Sequence, residues 1–141
     1  MTQPITGHCL CGAVTYRAEA EPLSVAICHC EDCQRQSGAA FSVNVLVDRA
    51  SFQLEGATLK TFQTVGEDSG QPRERIFCAE CGSPLISILA EADDMVAVKA
   101  GTLDDKSWLA PELELFTDSA QPWVHAAHGE ERGLFPRSLP T

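Results

Sequence analysis

Seven cysteines in three tight clusters constrain this chain more than any other feature. The clusters are Cys9 with Cys11, Cys28 with Cys30 and Cys33, and Cys78 with Cys81. Closely spaced thiolates converge on one point, and Zn²⁺ binds sulfur at about 2.3 Å with tetrahedral angles. A glycine directly after Cys11 and another after Cys81 let the backbone turn tightly there. The pattern predicts metal binding rather than a set of buried core thiols.

The cysteines are expected to be reduced. The first residues of the chain have neither the basic start nor the apolar stretch of a secretory signal, so we expect a cytoplasmic location. Cellular reductants keep thiols free in the cytoplasm, which favours metal ligands over disulfides. An odd number of cysteines points the same way.

Length and composition predict one folded domain over residues 1–141. The hydrophobic share of 44% and the charged share of 21% are ordinary for a globular protein. No run of about 18 apolar residues occurs, so we expect no membrane partner. The formal charge of -10 repels phosphate backbones, so we expect no nucleic-acid partner. Nothing in the pattern specifies an oligomeric state.

Short segments with alternating or β-branched residues predict an all-β chain. The predicted strands cover residues 13–18, 24–28, 41–47, 59–63, 73–77, 84–89 and 95–100. One short helix is predicted over residues 31–37, ending at Gly38, and a second helical turn over residues 104–109. We expect an irregular tail over residues 134–141, lying on the surface or docking through Leu134 and Phe135.

The seven ligands can be divided in two ways. A closed structural zinc site takes four protein ligands and a catalytic one takes three, so four plus three uses every cysteine. Spacing alone equally allows a zinc-ribbon site of Cys30 and Cys33 with Cys78 and Cys81, which leaves three thiols unassigned. The residues by themselves leave both divisions open.

Three segments resemble the glutathione-dependent formaldehyde-activating enzyme family, which also includes centromere protein V. They are GHCLCGAVTY at residues 7–16, ICHCEDCQRQSGAAF at residues 27–41 and FCAECGSPL at residues 77–85. Their order and mutual distances match as well, so the resemblance covers residues 7–100 or so. Beyond that, only the region of Trp123 is loosely similar.

The resemblance implies a β-tent fold, that is, stacked antiparallel sheets with one or two short helices and two zinc ions per chain. It implies that the structural zinc is bound by Cys9, Cys11, Cys78 and Cys81. It implies that Cys28, Cys30 and Cys33 hold a second, catalytic-type zinc with an open position. The structural zinc then joins distant parts of the chain, so its removal is expected to unfold much of the domain.

A zinc bound by three thiolates suits thiol chemistry better than the generation of hydroxide, since it can take a substrate thiol as fourth ligand and hold it as the nucleophilic thiolate. In the family this implies glutathione as partner and the formation or cleavage of S-hydroxymethylglutathione. We therefore predict a carbon-sulfur lyase type of activity. Arg35 is a candidate for pairing with a substrate carboxylate, and the turn at Ser37 and Gly38 is a candidate for presenting N–H groups to it.

The histidines are weaker candidates. His29 lies between two cysteines of the middle cluster, and in an extended segment it is expected to face away from the metal that they bind. His8, His125 and His128 lack ligand spacing to a partner and are expected to be ordinary histidines.

Two other functions compete with the enzyme. One is a non-catalytic, zinc-stabilised protein-interaction module, which requires both metal sites to be closed by protein ligands. The other is a thiol redox or metal-sensing site in the middle cluster. A redox C-x-x-C pair normally opens a helix after a buried strand in a βαβ unit, and this chain shows no such alternation.

Overall fold

The computed structural model describes residues 3–124 and 133–139. One α-helix lies in this part of the chain, α1 (Glu31–Ser37). The strands are β1 (Ile5–His8), β2 (Thr15–Ala18), β3 (Ser24–Cys28), β4 (Ser42–Asp48), β5 (Phe52–Glu55), β6 (Leu59–Val65), β7 (Pro72–Cys78), β8 (Pro84–Leu89), β9 (Met95–Lys99), β10 (Leu113–Leu115) and β11 (Gly133–Leu134). Single 3₁₀ turns cover Arg49–Ser51, Ala90–Ala92, Ala100–Thr102 and Thr117–Ser119.

The strands form two sheets. The small sheet has the order β1-β2-β5, and the large sheet has the order β11-β10-β3-β4-β9-β8-β7-β6. Neighbouring strands are antiparallel except at one edge, where β10 runs parallel to both β3 and β11. The predicted all-β class is confirmed, with a mixed rather than purely antiparallel large sheet.

The hydrophobic core lies between the two sheets. Tyr16 and Ala18 of β2 pack with Val45 and Val47 of β4 and with residues of β8 and β9 such as Val98. Side chains alternate between the faces of a strand, so every second residue of each of these strands enters the core. The intervening residues therefore have to be accommodated on the opposite face.

That opposite face of the large sheet is also covered. Asn44 and Leu46 of β4 lie on it together with Ala97 and Lys99 of β9, and α1 and the segments around Phe116 close over it. Consequently β3, β8 and β9 are buried along nearly their whole length, as strands covered on both faces are. This second covered face holds the candidate site.

Helix α1 is too short to be stable alone and depends on its ends. The Sγ of Cys30 accepts a hydrogen bond from the Cys33 N–H at 3.3 Å and caps the first turn. Gly38 adopts φ 69 and its N–H donates to the Gln34 carbonyl, which ends the helix as predicted. The capping cysteine and the buried Cys33 are thus positioned by the helix itself.

Every predicted strand is present within a few residues, and those over 24–28 and 84–89 match β3 and β8 at both ends. The sequence analysis missed β1, β5, β10 and β11. Residues 104–109 form a turn closed by the Leu109 N–H and the Lys106 carbonyl rather than a helix. The tail begins with β11, which docks through its backbone while the Leu134 side chain stays exposed.

Among the residues that the structure describes, no helix is both long and apolar enough to cross a membrane.

The core between the sheets makes a direct prediction. Leu85 is completely buried, and Leu85→Ala is expected to lower the free energy of unfolding by about 2 to 5 kcal/mol through lost burial and a residual cavity. The matched control is Leu23→Ala, since Leu23 is 57% exposed and its loss is expected to change stability by less than about 0.5 kcal/mol. Urea denaturation of both variants measures the difference, and similar losses would contradict the described packing.

Candidate functional site

The first and third cysteine clusters meet in space. Cys9 and Cys11 lie in the loop after β1, and Cys78 and Cys81 lie at the turn between β7 and β8. Their four sulfurs lie within 4.8 Å of one another, with 3.6 Å between those of Cys9 and Cys11 and 3.8 Å between those of Cys11 and Cys78. A tetrahedron with zinc–sulfur bonds of about 2.3 Å has edges of about 3.8 Å. The four-cysteine cluster therefore has the size that a tetrahedral metal ion requires.

Two similar turns bring these thiols together. Gly12 at φ 83 and Gly82 at φ 80 occupy the left-handed region, which glycine enters without a steric cost. The N–H groups of Cys9 and Cys78 each bond, at 3.0 Å, to the carbonyl of the residue five positions on. The Val14 N–H donates to Cys9 Sγ at 3.3 Å. This hydrogen bond orients the Cys9 sulfur within the turn.

The middle cysteines form a second cluster. Cys28 ends β3, Cys30 caps α1 and Cys33 lies in its first turn, and all three are buried with their sulfurs within 4.8 Å of one another. No fourth histidine, cysteine or carboxylate of the described residues joins this three-cysteine cluster. Three thiolates are a donor set that zinc accepts while keeping one position open.

Two buried cations compensate the charge of the three-cysteine cluster. Arg75 Nη1 lies 4.0 Å from Cys33 Sγ, and Lys99 Nζ donates to Ser42 Oγ at 3.1 Å and Asn44 Oδ1 at 2.9 Å. Within the described part of the chain, neither cation forms an ion pair with a carboxylate. Their charge is therefore available to the cysteines and to an anionic ligand.

The pKa values follow from this arrangement. Hydrogen bonds from the Cys28 and Cys30 thiols hold the pKa of Cys33 far below its usual range, and the charges of Lys99 and Arg75 lower it further. Burial lowers the pKa of Lys99, against the opposing influence of Cys33. The cluster thus favours one thiolate even before a metal binds.

A cavity of about 440 Å³ adjoins the three-cysteine cluster. All three of its cysteines line the cavity, whereas none of the cysteines of the four-cysteine cluster does. The floor is the covered face of the large sheet, and the wall includes Phe116, whose ring packs on the cysteines. Phe116 adopts the left-handed φ 56, an uncommon conformation for a bulky residue and one that is often found at functional sites.

Two segments meet at the rim of this cavity. Asp68, in the loop between β6 and β7, accepts hydrogen bonds from the Ser138 N–H and hydroxyl. Arg137 stacks over the Phe116 ring, 5.5 Å from its centroid. The rim thus joins a loop of the large sheet to the C-terminal segment, and the two together narrow the opening.

His29 does not belong to either cluster. Its Nε2 lies 2.8 Å from Glu114 Oε1 in a fully buried pair, its Nδ1 has no partner among the described residues, and its ring meets Phe41 edge-on. The ring therefore points away from the sulfurs, as expected from the extended backbone. Of the other histidines, His8 lies 3.5 Å from Asp104 near the surface. His125 and His128 lie outside the described residues.

The residues predicted to contact the substrate lie outside the lining of the cavity. Arg35 is 77% exposed and pairs with Glu31 at 3.2 Å on the outer side of α1. The Ser37 hydroxyl accepts from the Ala39 N–H at 3.1 Å, and Gly38 ends the helix. None of these three residues lines the cavity. Their role in substrate binding stays a prediction.

The sequence analysis assigned no role to Arg75, Lys99, Ser87 or Phe116, all of which line the cavity. The sequence did contain a signal for Lys99 and for Arg75. A lone lysine at the end of an apolar strand, and an arginine two residues from another in a β segment, mark a polar position on an otherwise buried face. No sequence feature of this kind marked Phe116.

A family model described as glutathione-dependent formaldehyde-activating enzyme matches residues 4–119. The chain belongs to this family. A curated relative named as an uncharacterized lyase, from Schizosaccharomyces pombe (strain 972), is 28% identical over 116 residues, which is 82% of this chain and 74% of the relative. The predicted membership in the family is confirmed.

A solved structure of a Rhodobacter sphaeroides protein has a similar fold, with a TM-score of 0.55. It is 23% identical in sequence, and the match covers 70% of this chain and 87% of that protein. This likeness shows the fold alone.

We expect the loss of one cysteine to have a different consequence in each of the two clusters. We expect each cluster to bind one zinc ion. Cys33→Ser is expected to remove the ion of the three-cysteine cluster and to leave thermal unfolding nearly unchanged. Cys81→Ser is expected to remove the other ion and to lower the melting temperature strongly, because its site joins segments 67 positions apart. Metal analysis and calorimetry of both variants measure this, and equal melting temperatures would contradict the distinction.

The buried histidine pair makes a further prediction. Glu114→Ala leaves His29 without its acceptor in a dry environment and is expected to cost about 1 to 3 kcal/mol of stability. The matched control is Glu31→Ala, which also removes a carboxylate from an ion pair but at an exposed site, where less than about 0.5 kcal/mol is expected. Chemical denaturation compares the two, and equal effects would show that the buried pair is not stabilising.

Proposed function

We propose that this protein is a zinc-dependent enzyme that forms or cleaves a carbon–sulfur bond in an adduct of glutathione or a similar thiol. The observation that carries the proposal is the difference between the clusters: only the three-cysteine cluster opens onto the cavity. Membership in the family and the name of the lyase relative support the same type of reaction. Formaldehyde as the second substrate follows from the family's description.

The three-cysteine cluster would hold zinc through Cys28, Cys30 and Cys33, and zinc bound there would supply an open position that stabilises a substrate sulfur as thiolate. The charges support an anionic ligand. Three thiolates and the two cations Arg75 and Lys99 together carry one negative charge, which a divalent ion converts to one positive charge. This positive charge attracts a substrate sulfur in its anionic, thiolate form.

In the synthetic direction the substrate thiol loses its proton to solvent, and its sulfur forms a bond to the carbonyl carbon of formaldehyde. The carbon–oxygen π electrons move to oxygen, which takes up a proton, and the product is the S-hydroxymethyl thioether. Cleavage is the reverse. The protein's own part is to hold the cysteines in place through α1, and to narrow access of water through Phe116 and the covering C-terminal segment.

The competing function is a zinc-stabilised interaction module without catalysis. It needs a fourth protein ligand at the three-cysteine cluster, and the obvious one, His29, is turned toward Glu114. A cavity lined by all three cysteines also has no role in such a module. These observations favour the enzyme.

Calorimetric titration of the zinc-quantified protein tests the proposal. Reduced glutathione is expected to bind, and S-methylglutathione, which cannot form a thiolate, is expected to bind at least about tenfold more weakly. Cys30→Ser is expected to lose one zinc ion and this discrimination. Absence of binding by either ligand to protein that carries two zinc ions would reject the proposal in favour of the interaction module.

A further inference from the structure

A buried hydroxyl on the cavity floor lacks a partner. Ser87 of β8 is only 5% exposed, lines the cavity, and its Oγ makes no hydrogen bond with any described residue. Buried polar atoms are nearly always paired, because an unpaired one gives up its hydration without replacement. An orphan hydroxyl in a cavity is thus a position where a ligand atom restores the missing bond.

Arg75 stands directly opposite this hydroxyl. It pairs in register with Ser87 across β7 and β8, and both side chains line the cavity. Its Nε donates to Thr64 Oγ1 at 3.0 Å and its Nη1 to Gln36 Oε1 at 2.8 Å, both neutral acceptors. No described residue accepts a hydrogen bond from Nη2. The guanidinium therefore has no carboxylate partner among the described residues and retains a free donor.

Arg73, two residues earlier on the same strand, provides the contrast. Its two Nη atoms each donate to a carboxylate oxygen of Glu91 at 2.8 Å, so the charge of this arginine is neutralised within the protein. The two other carboxylates that line the cavity belong to Asp32, which is half-buried, and Glu67, which is exposed at the rim. The protein thus pairs one buried arginine with a carboxylate and leaves the one beside Ser87 without a carboxylate partner among the described residues.

The surroundings keep the hydroxyl accessible from the cavity. Ala97, which pairs with Ser87 from β9, has too small a side chain to cover it, and Lys99 follows two residues later on the same face. Arg75 connects this position to the cysteines, since its Nη1 also approaches Cys33 Sγ at 4.0 Å. A hydroxyl and a cation thus lie on the cavity floor, and the cation reaches the three-cysteine cluster.

We propose that Ser87 and Arg75 together bind a carboxylate of the substrate whose sulfur lies at the three-cysteine cluster. A carboxylate accepts hydrogen bonds only, and it matches one hydroxyl donor and one guanidinium donor. The inference rests on the proposed function and deepens it: the substrate is a thiol that also carries a carboxylate, and Ser87 and Arg75 are the residues that recognise it. Ser87 then determines which substrate binds and takes no part in the chemical step.

The test compares two ligands of similar shape, one with carboxylates and one in which they are replaced by uncharged amides. Glutathione and its diamide, in which both carboxylates are amidated, are titrated into zinc-loaded protein by calorimetry. Loss of a charge-assisted hydrogen bond in a buried site reduces affinity by about tenfold or more. We expect the protein to bind glutathione at least about tenfold more tightly than the diamide.

Ser87→Ala is the decisive variant. It is expected to reduce the affinity for glutathione by about tenfold and to leave that for the diamide unchanged. Thermal stability without ligand is expected to stay equal or to rise, because the variant removes an unpaired buried hydroxyl. Ser51→Ala, which deletes a hydroxyl far from the cavity, is the control and is expected to bind both ligands like the parent protein.

Each other outcome has a definite meaning. Equal binding of glutathione and the diamide by the parent protein overturns the carboxylate site and leaves the proposed function standing. Equal weakening of both ligands in Ser87→Ala, with lower stability, assigns Ser87 a structural role and also overturns it. Binding of neither ligand to protein with two zinc ions overturns the proposed function, and this inference with it.

Discussion

The junction of four sulfurs between the loop after β1 and the turn between β7 and β8 is the constraint on which the rest of the structure depends. The small sheet has only three strands of four residues each, so its own pairing and burial contribute little stability. The four sulfurs lie within 4.8 Å of one another, so a metal ion bound by Cys9, Cys11, Cys78 and Cys81 would fix this sheet against the large one. The core between the sheets then closes around Tyr16 and its neighbours.

The large sheet in turn serves two environments. Residues such as Val96 and Val98 face the apolar core, while Ala97 and Lys99 between and beside them face the cavity. A single strand can do this because successive side chains point in opposite directions. The polar floor of the site is thus held by the same backbone hydrogen bonds that hold the core, which keeps the positions of Arg75, Ser87 and Lys99 rigid.

The predicted strands succeeded where a segment was long and its apolar residues recurred regularly, as in β3 and β8. The missed strands have short or polar sequences: β1 contains a glycine and β10 has three residues. The latter becomes a strand only because it pairs in parallel with β3, which is distant in the sequence, with Leu113 opposite Ala26. The bond of Glu114 to His29, just after β3, adds to this contact. A local pattern contains no information about such a partner.

The sequence by itself determined the chemistry of the metal ligands and the local turns that present them, since thiol spacing, a following glycine and a helix cap act over a few residues. It also indicated the family through its three cysteine segments. Only the tertiary structure decided what surrounds those ligands. The approach of Arg75 to Cys33 and the unpaired hydroxyl of Ser87 depend on register between distant strands. The exposed position of Arg35 depends on which side of α1 packs against the sheet. Register is a property of the packed sheet, because it follows from which residues are buried together.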